Sequence, residues 1–91
     1  MPSVRIPTVL RTHTAGEAKV AADGATVREV FQQLIAEHPG LEEQLFEGEQ
    51  VRGFINVYVD DEDIRYIDGL DTRVAEDTEI AIMPAVAGGA R

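Results

Sequence analysis

The 91-residue chain has no cysteine, which excludes disulfides, thiolate metal sites and a cysteine nucleophile together. Such a composition suits a reducing compartment. No apolar run approaches the roughly 18 residues needed to cross a bilayer. The opening residues MPSVRIPTVLR lack a basic stretch followed by a long apolar run, so no secretory leader is expected and the cytoplasm is the expected location. Basic residues are also scarce: 8 Lys and Arg stand against 17 Asp and Glu, for a formal net charge of −9. That balance repels nucleic-acid phosphates and anionic lipid headgroups, so neither nucleic acid nor membrane is an expected partner. The acidic surface either serves solubility or favours a partner with a basic docking surface.

What is present suffices for one folded domain. Hydrophobic residues make up 44% of the chain, enough to bury a core, while the length leaves no room for a second one. SVRIPTVLR (3–11) reads as a first strand. Pro7 is awkward within it, because proline cannot donate a ladder hydrogen bond. HTAG (13–16) is turn chemistry, and EAKVAA (17–22) a short second strand closing a hairpin. Thr26 and Glu29 have the spacing of a capping box. Val27, Val30, Phe31, Leu34 and Ile35 then form one apolar helical stripe, ended by Pro39-Gly40.

The second half reads as strands. LEEQLF (41–46) suits one further helical turn and EGEQVRG (47–53) a loop. FINVYV (54–59) is β-branched and aromatic, the composition of a strand. DDED (60–63) turns into IRYI (64–67) as a second hairpin, and 68–77 is loop. TEIAIMP (78–84) is the last strand, with Ile80 and Ile82 alternating against Glu79, Ala81 and Met83. A hairpin, a crossover helix and further strands ending in a closing strand predict an α+β fold. The expected form is the ubiquitin-like β-grasp: a mixed five-stranded sheet with one main helix on one face. Residues 1–84 are the expected β-grasp domain, and residues 85–91 a flexible tail carrying Gly-Gly.

Two stretches then carry a resemblance. NVYVDDEDIRYIDGLDTRVAEDTEIAIMPAVAGG (56–89) and IPTVLRTHTAG (6–16) resemble the MoaD/ThiS family of ubiquitin-like sulfur carriers, closest to its CysO-like, MoaD-related branch. The glycine pair is telling because it lies a few residues beyond a β-grasp closing strand. The resemblance implies a protein cosubstrate, not an enzyme. Sulfur would ride as a thiocarboxylate on Gly89, with Gly88 beside it. The chain would bind no cofactor and no metal. ATP would be used by an adenylating or sulfurtransferase partner that activates the tail, and glycine, lacking a Cβ, suits threading into a narrow site. Ala85, Val86 and Ala87 would supply the flexibility upstream. The sulfur acceptor would be a cysteine synthase-like enzyme or the large subunit of molybdopterin synthase; the N-terminal stretch leans to the cysteine branch.

The sequence departs from that pattern at its end. Ala90 and Arg91 follow Gly89, so the Gly89 carbonyl is an amide and cannot be adenylated as a carboxylate. Three readings stay open: a precursor trimmed by a metallopeptidase, two residues left by cloning, or a member that keeps only the fold. A protein modifier forming isopeptide bonds through Gly89 is an alternative, as is an interaction domain with an inert tail. Lys19 is the single lysine, which leaves few acceptors for chains built on the protein itself.

Other residues invite weaker readings. Phe54, Tyr58 and Met83 alternate with the expected core positions, so they fall on the sheet face away from the helix. With Pro84 and the residues after it, they are the expected partner-binding set. Asp60, Asp61, Glu62 and Asp63 lack the glycine and distal glutamate of a calcium loop and read as a solvated turn. His13 and His38 read as structural or surface residues.

Overall fold

The structure, a computed structural model, describes residues 1–84. Seven strands and two α-helices follow in chain order: β1 (Ser3–Arg5), β2 (Lys19–Ala21), α1 (Val27–Glu37), α2 (Leu41–Leu45), β3 (Phe46–Glu47), β4 (Gln50–Val51), β5 (Ile55–Val59), β6 (Glu62–Asp63) and β7 (Glu79–Pro84). Five of the strands make one sheet in the order β2-β1-β7-β5-β6. Its central pair, β1 and β7, is parallel, and the other pairs are antiparallel. This is the expected β-grasp.

Helix α1 forms where its capping and its stripe coincide. Thr26 Oγ1 accepts the Glu29 N–H at 3.3 Å. The Glu29 carboxylate reaches back to the Ala25 N–H at 2.9 Å, one residue beyond the reciprocal partner of an ideal capping box. The helix buries Val27, Val30, Phe31 and Leu34 against Val4, Ile55, Val57, Val59, Ile80 and Ile82 of the sheet, with Ile35 half-buried beside them. Each such fully buried side chain stabilises the fold by about 1.5–3 kcal/mol. Leu41 and Leu45 of α2 close one end of this core, and the Phe31 and Phe46 rings meet edge to face at 6.0 Å.

Strand β1 is much shorter than residues 3–11, and the register explains why. Ser3 lies opposite Glu79 and Arg5 opposite Ala81, and the Ser3 N–H donates to the Thr78 carbonyl at 3.1 Å. Two residues further, Pro7 would face Met83. There the ladder would need a Pro7 N–H for the Ile82 carbonyl and a Pro84 N–H for the Pro7 carbonyl. Neither proline has one. The Pro7 carbonyl instead accepts the Leu10 N–H at 2.9 Å, and residues Thr8–Thr14 coil into a 3-10 segment.

The remaining expectations are corrected locally. Within residues 17–22 the strand proper is Lys19–Ala21, with flanking hydrogen bonds from the Ile6 N–H to the Ala18 carbonyl and from the Ala22 N–H to the Pro2 carbonyl. The expected loop at 47–53 holds all but Phe46 of a small hairpin, β3–β4, turned by Gly48 at φ 68°. IRYI does not continue β6. Asp60 and Asp61 both adopt positive φ in a two-residue turn, the backbone a tight hairpin requires. Asp63 then accepts the Arg65 N–H at 2.9 Å and starts a 3-10 turn over Ile64–Tyr66.

Candidate functional site

The sheet positions a site at the end of β7. Pro84 pairs with Ile55, Met83 with Asn56 and Ala81 with Tyr58. Ile80 and Ile82 point into the core, so Ala81 and Met83 occupy the face away from α1, together with Asn56 and Tyr58 of β5. Met83 is 54% exposed there and Tyr58 is half-buried. Pro84 is half-buried at the strand end.

Phe54 is 54% exposed as well, yet it is not a strand residue. It stands in the turn ahead of β5, where the Ile55 N–H donates to the Arg52 carbonyl at 2.9 Å. Because Ile55 pairs with Pro84, Phe54 still lies at the end of the sheet where β7 finishes. The structure thus brings Tyr58, Met83 and Pro84 together across β5 and β7, with Phe54 at the rim. Ala85, Val86, Ala87, Gly88, Gly89, Ala90 and Arg91 lie outside the described residues.

Charged groups frame this apolar strip, and sequence reasoning missed their pairing. On one side Glu79 bridges Arg5 at 3.1 Å and Lys19 at 3.3 Å. On the other, Arg65 donates to both Asp63 oxygens, at 2.9 and 3.2 Å, and to the side-chain oxygen of Asn56. The hydrogen bond from the Arg65 guanidinium, followed by that from the Arg65 backbone N–H, holds the Asp63 carboxyl below its ordinary range. Reciprocally, the Asp63 carboxylate raises the Arg65 pKa further. Only the strand register reveals the Arg5–Glu79–Lys19 cluster, since Glu79 is remote in sequence from both cations, whereas Asp63 and Arg65 are two residues apart.

The other candidates are placed plainly. Asp60 and Asp61 form the turn and Glu62 and Asp63 pair with β5. Among the described residues, no three His, Asp or Glu side chains are grouped to hold a metal ion. His13 packs against Gly40, where an added Cβ would come within 2.8 Å of its Nδ1. His38 caps the end of α1 through its N–H to the Leu34 carbonyl at 2.8 Å. No helix among the described residues is long and apolar enough to cross a membrane.

A half-exposed apolar strip stands at the end of β7, and Gly88-Gly89 follow it in sequence. The model of the ThiS family matches residues 4–89, the last of these being Gly89. This chain belongs to the ThiS family. The ThiS-family match covers both the folded domain and the glycine pair. The chain is 42% identical over 90 residues to the sulfur carrier protein CysO of Mycobacterium tuberculosis, covering 96% of this chain and 97% of that one. Among solved structures it is similar to a chain in the crystal structure of the Amycolatopsis orientalis BexX/CysO complex. That match has a TM-score of 0.92 and 47% identity, over 98% of this chain and 100% of the other. It is also 34% identical over 67 residues to small archaeal modifier protein 3 of Haloferax volcanii, over 74% of this chain and 73% of that one. This ThiS-family chain is therefore a homologue of sulfur carrier proteins, which are small ubiquitin-like carriers and not catalysts.

Proposed function

We propose that this ThiS-family chain carries sulfur on Gly89 as a C-terminal thiocarboxylate and delivers it for cysteine biosynthesis. Its 42% identity to CysO over 96% of its length supports this reading. A metallopeptidase would first hydrolyse the Gly89–Ala90 bond, releasing Ala-Arg and freeing the carboxylate. A partner enzyme would then join that carboxylate to ATP, forming the acyl-adenylate and releasing pyrophosphate. Sulfide attacks the acyl carbon, AMP leaves, and the thiocarboxylate remains. The chain's own contribution is presentation: a fixed sheet, an apolar strip for docking at Tyr58 and Met83, and small residues from Ala85 to Gly89 that fit a narrow channel.

The cysteine branch is tested by reconstitution. The trimmed chain, its adenylating enzyme, ATP, labelled sulfide, activated serine and a cysteine synthase-like enzyme are combined with the metallopeptidase, which hydrolyses the bond between the Gly89 acyl group and the new cysteine. Label in free cysteine is the expected result. Label that reaches the chain but never cysteine contradicts this branch and points to the large subunit of molybdopterin synthase as acceptor.

The likeness to small archaeal modifier protein 3 favours a second reading, a protein modifier. Gly89 would then be found in isopeptide bonds on target lysines, visible as branched peptides after digestion of host extract.

A further inference from the structure

Beside the apolar strip lies a groove walled by Pro7, Thr8 and Arg11 on one side and by Ile82, Met83 and Pro84 on the other. It exists because β1 and β7 part at the two prolines. The Asp60 N–H donates to the Glu79 carbonyl, so Glu79 and, by alternation, Ala81 and Met83 exchange hydrogen bonds with β5. Ile82 alternates with them. Its carbonyl therefore points away from β5, toward the position where Pro7 offers no N–H.

The charge at this groove is opposite to that of the chain. Arg11 donates through Nε to the Ile6 carbonyl at 3.1 Å, which fixes the side chain and leaves its two terminal nitrogens for another acceptor. Among the described residues, Arg5, Lys19, Arg28 and Arg65 have carboxylate partners, and Arg11 has none. Arg5 and Lys19 share the single carboxylate of Glu79. The groove thus carries excess positive charge in a molecule of net charge −9.

We propose that this groove docks an extended, acidic segment of the enzyme that takes up the tail, a partner chemistry that rests on the carrier reading. A backbone N–H of that segment donates to the Ile82 carbonyl, continuing the sheet where β1 leaves off. A carboxylate on the segment meets Arg11 and Arg5. Charge complementarity selects this occupant, since a second copy of so acidic a chain would be repelled.

The test measures affinity of the full chain for the purified host adenylating enzyme at low and high salt. Arg11→Glu and Arg5→Glu each weaken binding about tenfold or more at low salt, with the difference shrinking as salt screens it. Arg28→Glu, on α1, serves as control and binds as the unsubstituted chain does. Arg5 is exposed and makes no backbone bond with its side chain, so its variant reads the groove even where Arg11→Glu perturbs the Ile6 turn. Equal affinity of Arg5→Glu and Arg28→Glu overturns the proposal. Thiocarboxylate yield, measured with ATP, sulfide and saturating enzyme on the same chains trimmed to end at Gly89, separates the two readings. Normal yield with normal affinity in both groove variants sinks the groove alone. Absent yield in the unsubstituted chain, with charge-dependent binding intact, sinks the carrier reading alone.

Discussion

Arg65 hydrogen-bonds Asn56, and Asn56 stands directly opposite Met83 on the open face of the sheet. A clasp from the turn after β6 therefore supports the strip at the end of β7. Asp63 anchors it. Its pKa is depressed in the folded state by Arg65, so the stability it contributes is present above the ordinary carboxylate value. It is lost as pH falls through the lower, folded value. On acidification from about pH 5 to pH 2, Asp63→Asn loses less stability than the unsubstituted chain. Thermal melts of both proteins across that range check this; parallel curves would contradict it.

Thr26→Ala removes the acceptor for the Glu29 N–H at the start of α1. The loss expected is about 1 kcal/mol in urea unfolding, with the denaturant slope unchanged.

Phe31→Ala should cost about 3–5 kcal/mol. The side chain is fully buried and meets the Phe46 ring edge to face. For a domain with a total stability of roughly 5–15 kcal/mol, that loss removes at least about a fifth of the total, detectable as a large drop in melting temperature.

Gly24→Ala fails for lack of space. An added Cβ would stand 2.6 Å from the Val30 backbone nitrogen, inside any real contact, and the first turn of α1 must shift to relieve it. Destabilisation of at least about 1 kcal/mol is expected.

Met83→Asp is the complement of these core changes. Met83 is half exposed, so its stability effect stays within about 0.5 kcal/mol. Affinity for the adenylating enzyme falls, because a charge then occupies the apolar strip. Unchanged affinity would remove the strip from the docking surface.

The core was legible in the sequence because it follows simple periods. The stripe from Val27 to Leu34 and the alternation of Ile80 and Ile82 are each written in consecutive spacing, and all are buried. The strand ends were not legible, because they depend on partners remote in sequence. Pro7 is out of place in a strand on composition alone, but that it stops β1 becomes plain only when the register sets it beside Ile82 and Pro84. The run IRYI has strand composition, yet Asp63 captures the Arg65 N–H and bends it into a 3-10 turn. A local side-chain hydrogen bond there outcompetes propensity.

The site divides in the same way. Alternation alone puts Tyr58 and Met83 on the open face, where the structure has them. Phe54 satisfies the same parity but sits in a turn, since the Ile55 N–H is committed to Arg52. The Arg5–Glu79–Lys19 cluster and the Arg65–Asn56 contact have no signature in spacing, because they join residues that only the sheet or its turn brings together.

The central claim is that Gly89 bears sulfur, and intact mass spectrometry tests it most directly. The chain is incubated with host extract, ATP and a sulfur source, and its mass is followed. Loss of Ala-Arg followed by an increment equal to exchange of one oxygen for sulfur is the predicted result. A mass that never changes, with Ala-Arg still attached, would contradict it.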